Sequence, residues 1–200
     1  PVLDKVDIVA FLKNIMMQFE GLAERHAIHY RIITTGLPIF LQIDRDMLEK
    51  VFVNLYSNAF KYTPKGGSIT TTLAVNVVDA LSFVEIQIAD SGKGIAVKDL
   101  PFIFERFYQG DEPLHTLQEG TGVGLSLVKD FVELHRGTVS VTSEENKGTV
   151  FSIVLPLPDA SVKADHDVIR DDDQNADDQQ DSKLLPLLLI IDDNPDVLDF

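Results

Sequence analysis

Residues 171–181 read Asp-Asp-Asp-Gln-Asn-Ala-Asp-Asp-Gln-Gln-Asp, with no apolar side chain larger than alanine. Carboxylates at this density repel one another. The run has no apolar periodicity and can bury nothing to offset the entropy of ordering it. It is expected to be a disordered, solvated linker; the competing reading is an acidic interaction tail or a cation site. Any core must then come from the residues on either side. The charge divides the same way. Residues 1–158 carry a net −5, residues 159–183 a net −6 and residues 184–200 a net −4 of the total −15. Three segments are expected: a folded domain over 1–158, a linker over 159–183, and 184–200 as the start of something else.

That last segment holds Leu187-Leu188-Leu189-Ile190-Ile191, a continuous apolar run closed by Asp192-Asp193. It reads as a buried parallel strand, which cannot bury itself alone, so a truncated second domain is expected. The acidic balance argues against a general nucleic-acid binder, which needs cations to neutralise phosphates. With no cysteine, disulfide frameworks and thiolate metal sites are excluded. There is no apolar run long enough to span a bilayer and no signal-peptide pattern. The chain therefore reads as cytoplasmic, or as a cytoplasmic piece of something larger.

Within 1–158 the apolar spacing predicts a helix from Asp7 to about Arg25, with Ile8, Phe11, Leu12, Ile15, Phe19 and Leu22 on one face. Strands are expected over Ile28–Thr34 and Ile39–Ile43, then a second helix from Arg45 to Tyr62 capped by Asp44. Ser68–Val78 and Ser82–Ala89 read as a hairpin. Val123 to about His135 reads as a third helix closed by Gly137, and Thr138–Thr142 with Thr149–Leu155 as a final strand pair. This order suits an α+β two-layer sandwich: a mixed, mostly antiparallel sheet with three main helices on one face.

Three places carry chemistry. On the second helix Asn54, Asn58 and Lys61 share a face, with Tyr62 adjacent. Two amides and an ammonium can offer oxygen to a hard cation and positive charge to phosphates, magnesium taking its remaining ligands from water and phosphate. The plain alternative is the solvent face of an amphipathic helix. At the end of the hairpin, Asp90-Ser91-Gly92-Lys93-Gly94 puts a carboxylate in the parity of Val84, Ile86 and Ile88, facing inward. Such a group needs a donor, and an adenine amino group is one; an ordinary turn with an exposed aspartate is the alternative. Third, Gly120-Thr121-Gly122-Val123-Gly124-Leu125 runs into a helix, where successive N–H groups make an anion site. It matches neither a Rossmann fingerprint nor a P-loop. Between the last two, Phe104-Glu105-Arg106-Phe107-Tyr108 and the polar stretch Gln109–Glu119 suit a lid anchored by aromatics, or a satellite cluster under a loop.

Asn54-Leu-Tyr-Ser-Asn58-Ala-Phe-Lys61-Tyr62-Thr-Pro, Asp90-Ser-Gly-Lys-Gly94, Phe104-Glu-Arg-Phe107 and Gly120-Thr-Gly-Val-Gly124-Leu125 occur in this order. Together they resemble the N box, first glycine box, F box and second glycine box of the ATP-binding domain of sensor histidine kinases. Lys147-Gly148-Thr149 resembles that family's final glycine motif. The resemblance covers about residues 1–158 and implies the Bergerat fold of the GHKL superfamily, with ATP and Mg2+ held between helices and a lid. It implies Asn58 as magnesium ligand with Asn54 supporting, Lys61 on phosphate and Tyr62 near the adenine. Asp90 would accept from the adenine amino group, with Gly92 and Gly94 allowing close approach. Gly120, Gly122 and Gly124 would line the phosphates and hinge the lid. Ile95, Phe107, Thr121, Leu125 and Thr149 would complete the nucleotide site. Gln109 departs from the arginine common there, which puts γ-phosphate handling in question.

Residues 184–200 resemble the opening of a response-regulator receiver domain. There the acidic pair helps hold magnesium, and the phosphate-accepting aspartate would lie further on. Kinase and receiver in one chain make a hybrid kinase. Its parent would be homodimeric and anchored in the bacterial membrane, with this domain cytoplasmic. Hydrolysing relatives of the same fold carry a glutamate four residues before the magnesium asparagine, as general base. Here that position is Asn54, which favours phosphoryl transfer to a protein histidine over hydrolysis. The histidine would lie on a separate helical dimerisation domain, because His26, His29, His115, His135 and His166 lie outside any phosphoacceptor-like box. A gyrase-type ATPase and a degenerate module that only docks partners are the other readings.

Overall fold

A computed structural model describes residues 1–78, 81–108 and 122–158. The expected linker, the apolar segment 184–200, Gln109, Gly120 and Thr121 all lie outside these residues.

The chain opens with β1 (Asp4–Asp7), α1 (Ile8–Met17) and α2 (Glu20–His26), followed by β2 (His29–Ile33) and β3 (Phe40–Ile43). The single helix expected over 7–25 is thus two, preceded by a strand that the spacing did not predict. The break falls at Gln18 and Phe19. There Phe19 turns inward and stacks on Phe60, with ring centroids 5.3 Å apart and planes 3° apart. The Asp7 carboxylate accepts from the N–H of Val9, capping α1, and also from Ile39 N–H. One side chain therefore starts the helix and ties it to the approach of β3.

After β3 come α3 (Arg45–Tyr62), β4 (Ser68–Val78), β5 (Leu81–Asp90), α4 (Gly124–Leu134), β6 (Thr138–Glu144) and β7 (Gly148–Pro156). β1 and β3 pair antiparallel as a small ribbon. The other strands form one sheet in the order β2-β4-β5-β7-β6. Only β2 with β4 is parallel; β4–β5, β5–β7 and β6–β7 are antiparallel. This is the mixed, mostly antiparallel α+β sandwich that the sequence predicts.

Ile69, Thr71 and Leu73 of β4, Val84, Ile86 and Ile88 of β5, and Phe151, Ile153 and Leu155 of β7 alternate inward and are buried. They meet Leu48, Val51, Phe52, Leu55 and Phe60 of α3 and Val128 and Val132 of α4 in one core. Tyr56, also on the inner face of α3, is fully buried, and its hydroxyl lies 2.8 Å from that of Thr71. That contact fixes the rotation of α3, so its opposite face carries Asn54 and Asn58. Both helices end on shared polar ties. Asp44 caps α3 by accepting from Met47 N–H. The N–H of Asp44 donates to Nε2 of His135, just past α4. His135 must therefore carry its proton on Nδ1, 2.6 Å from the Phe131 carbonyl. His135 thus ties the end of α4 to the start of α3, a structural role.

Candidate functional site

Asp90 ends β5 beside Ile69 of β4 and Thr149 of β7. It stands on the core face, as its parity predicts. Its carboxylate accepts from the N–H groups of Gly92, at 2.8 Å, and Thr149. Burial pushes its carboxyl above the ordinary range, while the two N–H donors pull it back down. The result is a part-buried acceptor with few donors of its own, and it suits a donating ligand.

The loop after Asp90 is clamped from two sides. Lys93 N–H donates to the Tyr62 carbonyl at the end of α3, and the Lys93 carbonyl accepts from Asn146 N–H at 2.6 Å. The ammonium groups of Lys61 and Lys93 lie 5.1 and 4.6 Å from the centroid of the Tyr62 ring. A cleft of about 350 Å³ opens here, lined in part by Lys61, Tyr62, Ser91, Gly92, Lys93 and Asn146. It takes in three of the predicted site residues and reaches neither Asn54, Asn58 nor Gly124. On the other side, Ile95 N–H donates to the Ser143 hydroxyl, and Gly94 packs against Glu144. Gly148 has φ +104°, and a β-carbon there would strike the Asp90 carbonyl oxygen. Only glycine allows the β6–β7 turn to close this tightly on the loop.

The second cluster lies along α3. Asn54 and Asn58 are half-buried, one turn apart. The Asn54 amide donates to the Lys50 carbonyl at 2.9 Å, which leaves its oxygen turned toward Gly124, the first residue of α4. Among the described residues no side chain caps the N-terminus of α4, and the Asn54 oxygen lies beside its first residue, Gly124. An amide oxygen at the start of a helix can serve a magnesium ion that shares its ligands with a phosphate. Among the described residues no group of three or more His, Asp or Glu forms a metal cage. Any cation here would depend on ligand oxygens, and magnesium tolerates that arrangement.

The aromatic segment divides. Ile103 is buried, and Phe104 meets Phe151 edge-on with ring centroids 6.3 Å apart. The Tyr108 hydroxyl donates to Asp99 at 2.8 Å. Phe107 is 75% exposed at φ +66°, and its N–H donates to the Gly122 carbonyl. So the segment is anchored by Ile103, Phe104 and Tyr108, whereas Phe107 points to solvent. Leu125 packs partly on the core, and Thr149 is buried next to Asp90.

Sequence reasoning missed Lys93, Asn146 and Ser143. The turn signal was present in Asn146-Lys147-Gly148, but its contact with the loop after Asp90 spans some fifty residues.

A family model for histidine kinase-, DNA gyrase B- and HSP90-like ATPases matches residues 43–159. The chain is similar to histidine kinase P4 of Formosa agariphila, 38% identical over 154 residues that make up 76% of this chain and 11% of that one. It is also similar to the sensor histidine kinase TmoS of Ectopseudomonas mendocina, 33% identical over 96% of this chain and 21% of that one. Among solved structures, full-length ShkA in complex with AMPPNP superposes with a TM-score of 0.64 at 28% identity, covering 78% of this chain and 31% of that one. The chain thus spans about a tenth to a fifth of the length of these curated relatives. With this fold, these motifs and a match over more than half its length, the chain belongs to the histidine kinase-, DNA gyrase B- and HSP90-like ATPase family, in the form found in sensor histidine kinases.

Proposed function

We propose that the chain is the catalytic domain of a hybrid sensor histidine kinase, binding Mg-ATP and passing its γ-phosphoryl group to a histidine on a separate helical dimerisation domain. The observation that carries this reading is the pair of Asp90 and Asn54. Asp90 is a part-buried acceptor walled by a glycine loop. Asn54 offers an amide oxygen at the start of α4, beside Gly124. The first suits a base with an amino edge and the second suits phosphates.

Asp90 would accept from the adenine, with Tyr62, Ile95, Gly92, Gly94 and Thr149 around the base. Lys61, Gly120, Thr121, Gly122, Gly124 and Leu125 would face the phosphates. Asn58, supported by Asn54, would hold magnesium, which neutralises phosphate charge when bound. Phe107 would reach the nucleotide only after leaving its exposed position. In the transfer, a histidine nitrogen of the acceptor domain bonds to phosphorus as the bond to the β–γ bridging oxygen breaks, leaving ADP. The domain contributes position and charge to this step.

Asn54 argues for transfer against hydrolysis, because an amide cannot take a proton from water. The hybrid reading is supported by the apolar run and acidic pair of Leu187–Asp193. A receiver aspartate would then take the phosphoryl group onward. The parent would be a homodimer anchored in the bacterial membrane, with this domain on its cytoplasmic side. No helix among the described residues is long and apolar enough to cross a membrane.

The test is a thermal-shift titration with Mg-ATP, followed by labelled phosphate transfer to a separately supplied helical acceptor domain. At a thousandfold excess over Kd, nucleotide should add about 4 kcal/mol of stability. No shift favours a docking module. Steady phosphate release without an acceptor favours a gyrase-type ATPase.

A further inference from the structure

β5, β7 and β6 set Asp90, Thr149 and Ser143 side by side in one row on one face of the sheet. Ser143 belongs to none of the motifs above, yet its hydroxyl makes three contacts. It accepts from Ile95 N–H at 2.8 Å, donates to the Gly148 carbonyl at 2.8 Å and lies 3.0 Å from the Thr149 hydroxyl. A serine hydroxyl has one hydrogen and two lone pairs. An amide N–H can only donate and a carbonyl can only accept. The Ser143 hydrogen is therefore committed to Gly148, and one lone pair to Ile95. What remains for Thr149 is a lone pair, so Thr149 must be the donor of the Ser143–Thr149 bond. Its oxygen then has lone pairs alone to offer any other group. An ionised Asp90 likewise only accepts.

We propose that Ser143 is a positioning residue for base recognition: by taking the Thr149 hydroxyl hydrogen, it makes the Asp90–Thr149 wall acceptor-only and favours a purine with an amino edge over one with a keto edge. The inference rests on the nucleotide-binding reading above. Without Ser143 the Thr149 hydroxyl can rotate and donate to a keto oxygen, so discrimination should narrow while the fold persists.

The test compares Kd for Mg-ATP and for Mg-ITP, whose base carries a keto group in place of the amino group. It uses the whole chain and its Ser143→Ala, Ser143→Thr and Thr149→Val variants. The wild-type chain should prefer ATP. Ser143→Ala should narrow the ATP-to-ITP ratio by about threefold to tenfold, the scale of one hydrogen bond, and Ser143→Thr should restore it. A merely structural role would weaken both nucleotides alike and leave the ratio unchanged, which overturns the inference. Should Ser143→Ala fail to fold, Thr149→Val decides. It leaves Ser143 its Ile95 and Gly148 partners and should narrow the ratio; an unchanged ratio overturns the inference. A wild-type chain that binds neither nucleotide overturns the underlying reading as well.

Discussion

Asn54 and Gly124 meet where α3 passes the start of α4: a β-carbon on Gly124 would sit 2.6 Å from the Asn54 side-chain oxygen. The contact joins the amide stripe to the second glycine motif, seventy residues apart in sequence. Gly124→Ala forces the Asn54 amide aside, and a terminal amide can move cheaply. Folding stability should stay within about 1 kcal/mol of the wild type, since alanine suits a helix better than glycine does. Mg-ATP affinity should nevertheless fall about tenfold or more, because the amide oxygen loses its place at the start of α4. Calorimetric titration beside a thermal melt checks both halves; equal loss of stability and affinity would refute the separation.

Asp90 should show opposite pH effects on folding and on binding. Burial holds its folded pKa above the ordinary 3.8, so the folded state keeps this proton more readily than the unfolded chain does. Its contribution to stability is greatest below 3.8 and declines as pH rises through the raised folded value. Binding of an amino edge needs the ionised form, so nucleotide affinity should rise over the same window. Asp90→Asn should leave the unliganded melt no lower at neutral pH, since an amide oxygen can still accept from Gly92. It should lower Mg-ATP affinity roughly ten- to a hundredfold and abolish the pH dependence of binding. The check is Kd measured across pH for both chains.

His135 and Asp44 hold the far ends of α4 and α3 together. Replacing His135 by alanine leaves the Asp44 N–H without its acceptor in a part-buried setting. The expected cost is about 1–3 kcal/mol, read from chemical denaturation. Nucleotide affinity per folded molecule should be unchanged, because the tie lies at the ends of the helices away from Lys61 and Gly124. The Asp44 carboxyl adds an acid-side term. N–H groups of Val2 and Met47 hold its pKa below the ordinary 3.8, so its support is present above 3.8 and lost as pH falls through the lower folded value. Asp44→Asn should flatten that part of the acid melt.

Local pattern and tertiary contact divide what the sequence could disclose. α3, the β4–β5 hairpin and α4 are long enough for their period to identify them, and Asp90 could be placed inward by parity alone. β1 has four residues, and its partner lies more than thirty positions away, so no local signal marks it. The break at Phe19 exists because that ring stacks on Phe60, a contact invisible to helical spacing. Tyr56 was unread for the same reason: its hydroxyl is buried only because Thr71 meets it. At the site, residue types and order were legible. The clamp of Lys93 between Tyr62 and Asn146, and the meeting of Asn54 with Gly124, required the fold.

Asn54 itself allows the sharpest test of transfer against hydrolysis. Its oxygen faces the start of α4, where phosphates are expected, and its nitrogen is held by the Lys50 carbonyl. An amide there can orient a water but cannot accept its proton. Asn54→Glu supplies a carboxylate, and general-base catalysis contributes about a hundredfold or more when the base is well placed. The glutamate is longer by one methylene and loses the bond to Lys50, so only part of that gain is expected. Phosphate release by the isolated chain should nonetheless rise at least about tenfold over the wild type, while Mg-ATP affinity falls only modestly. A coupled phosphate assay on both chains reads the result directly. If the wild type already turns over steadily and Asn54→Glu adds nothing, water activation does not depend on this position and the argument from Asn54 fails.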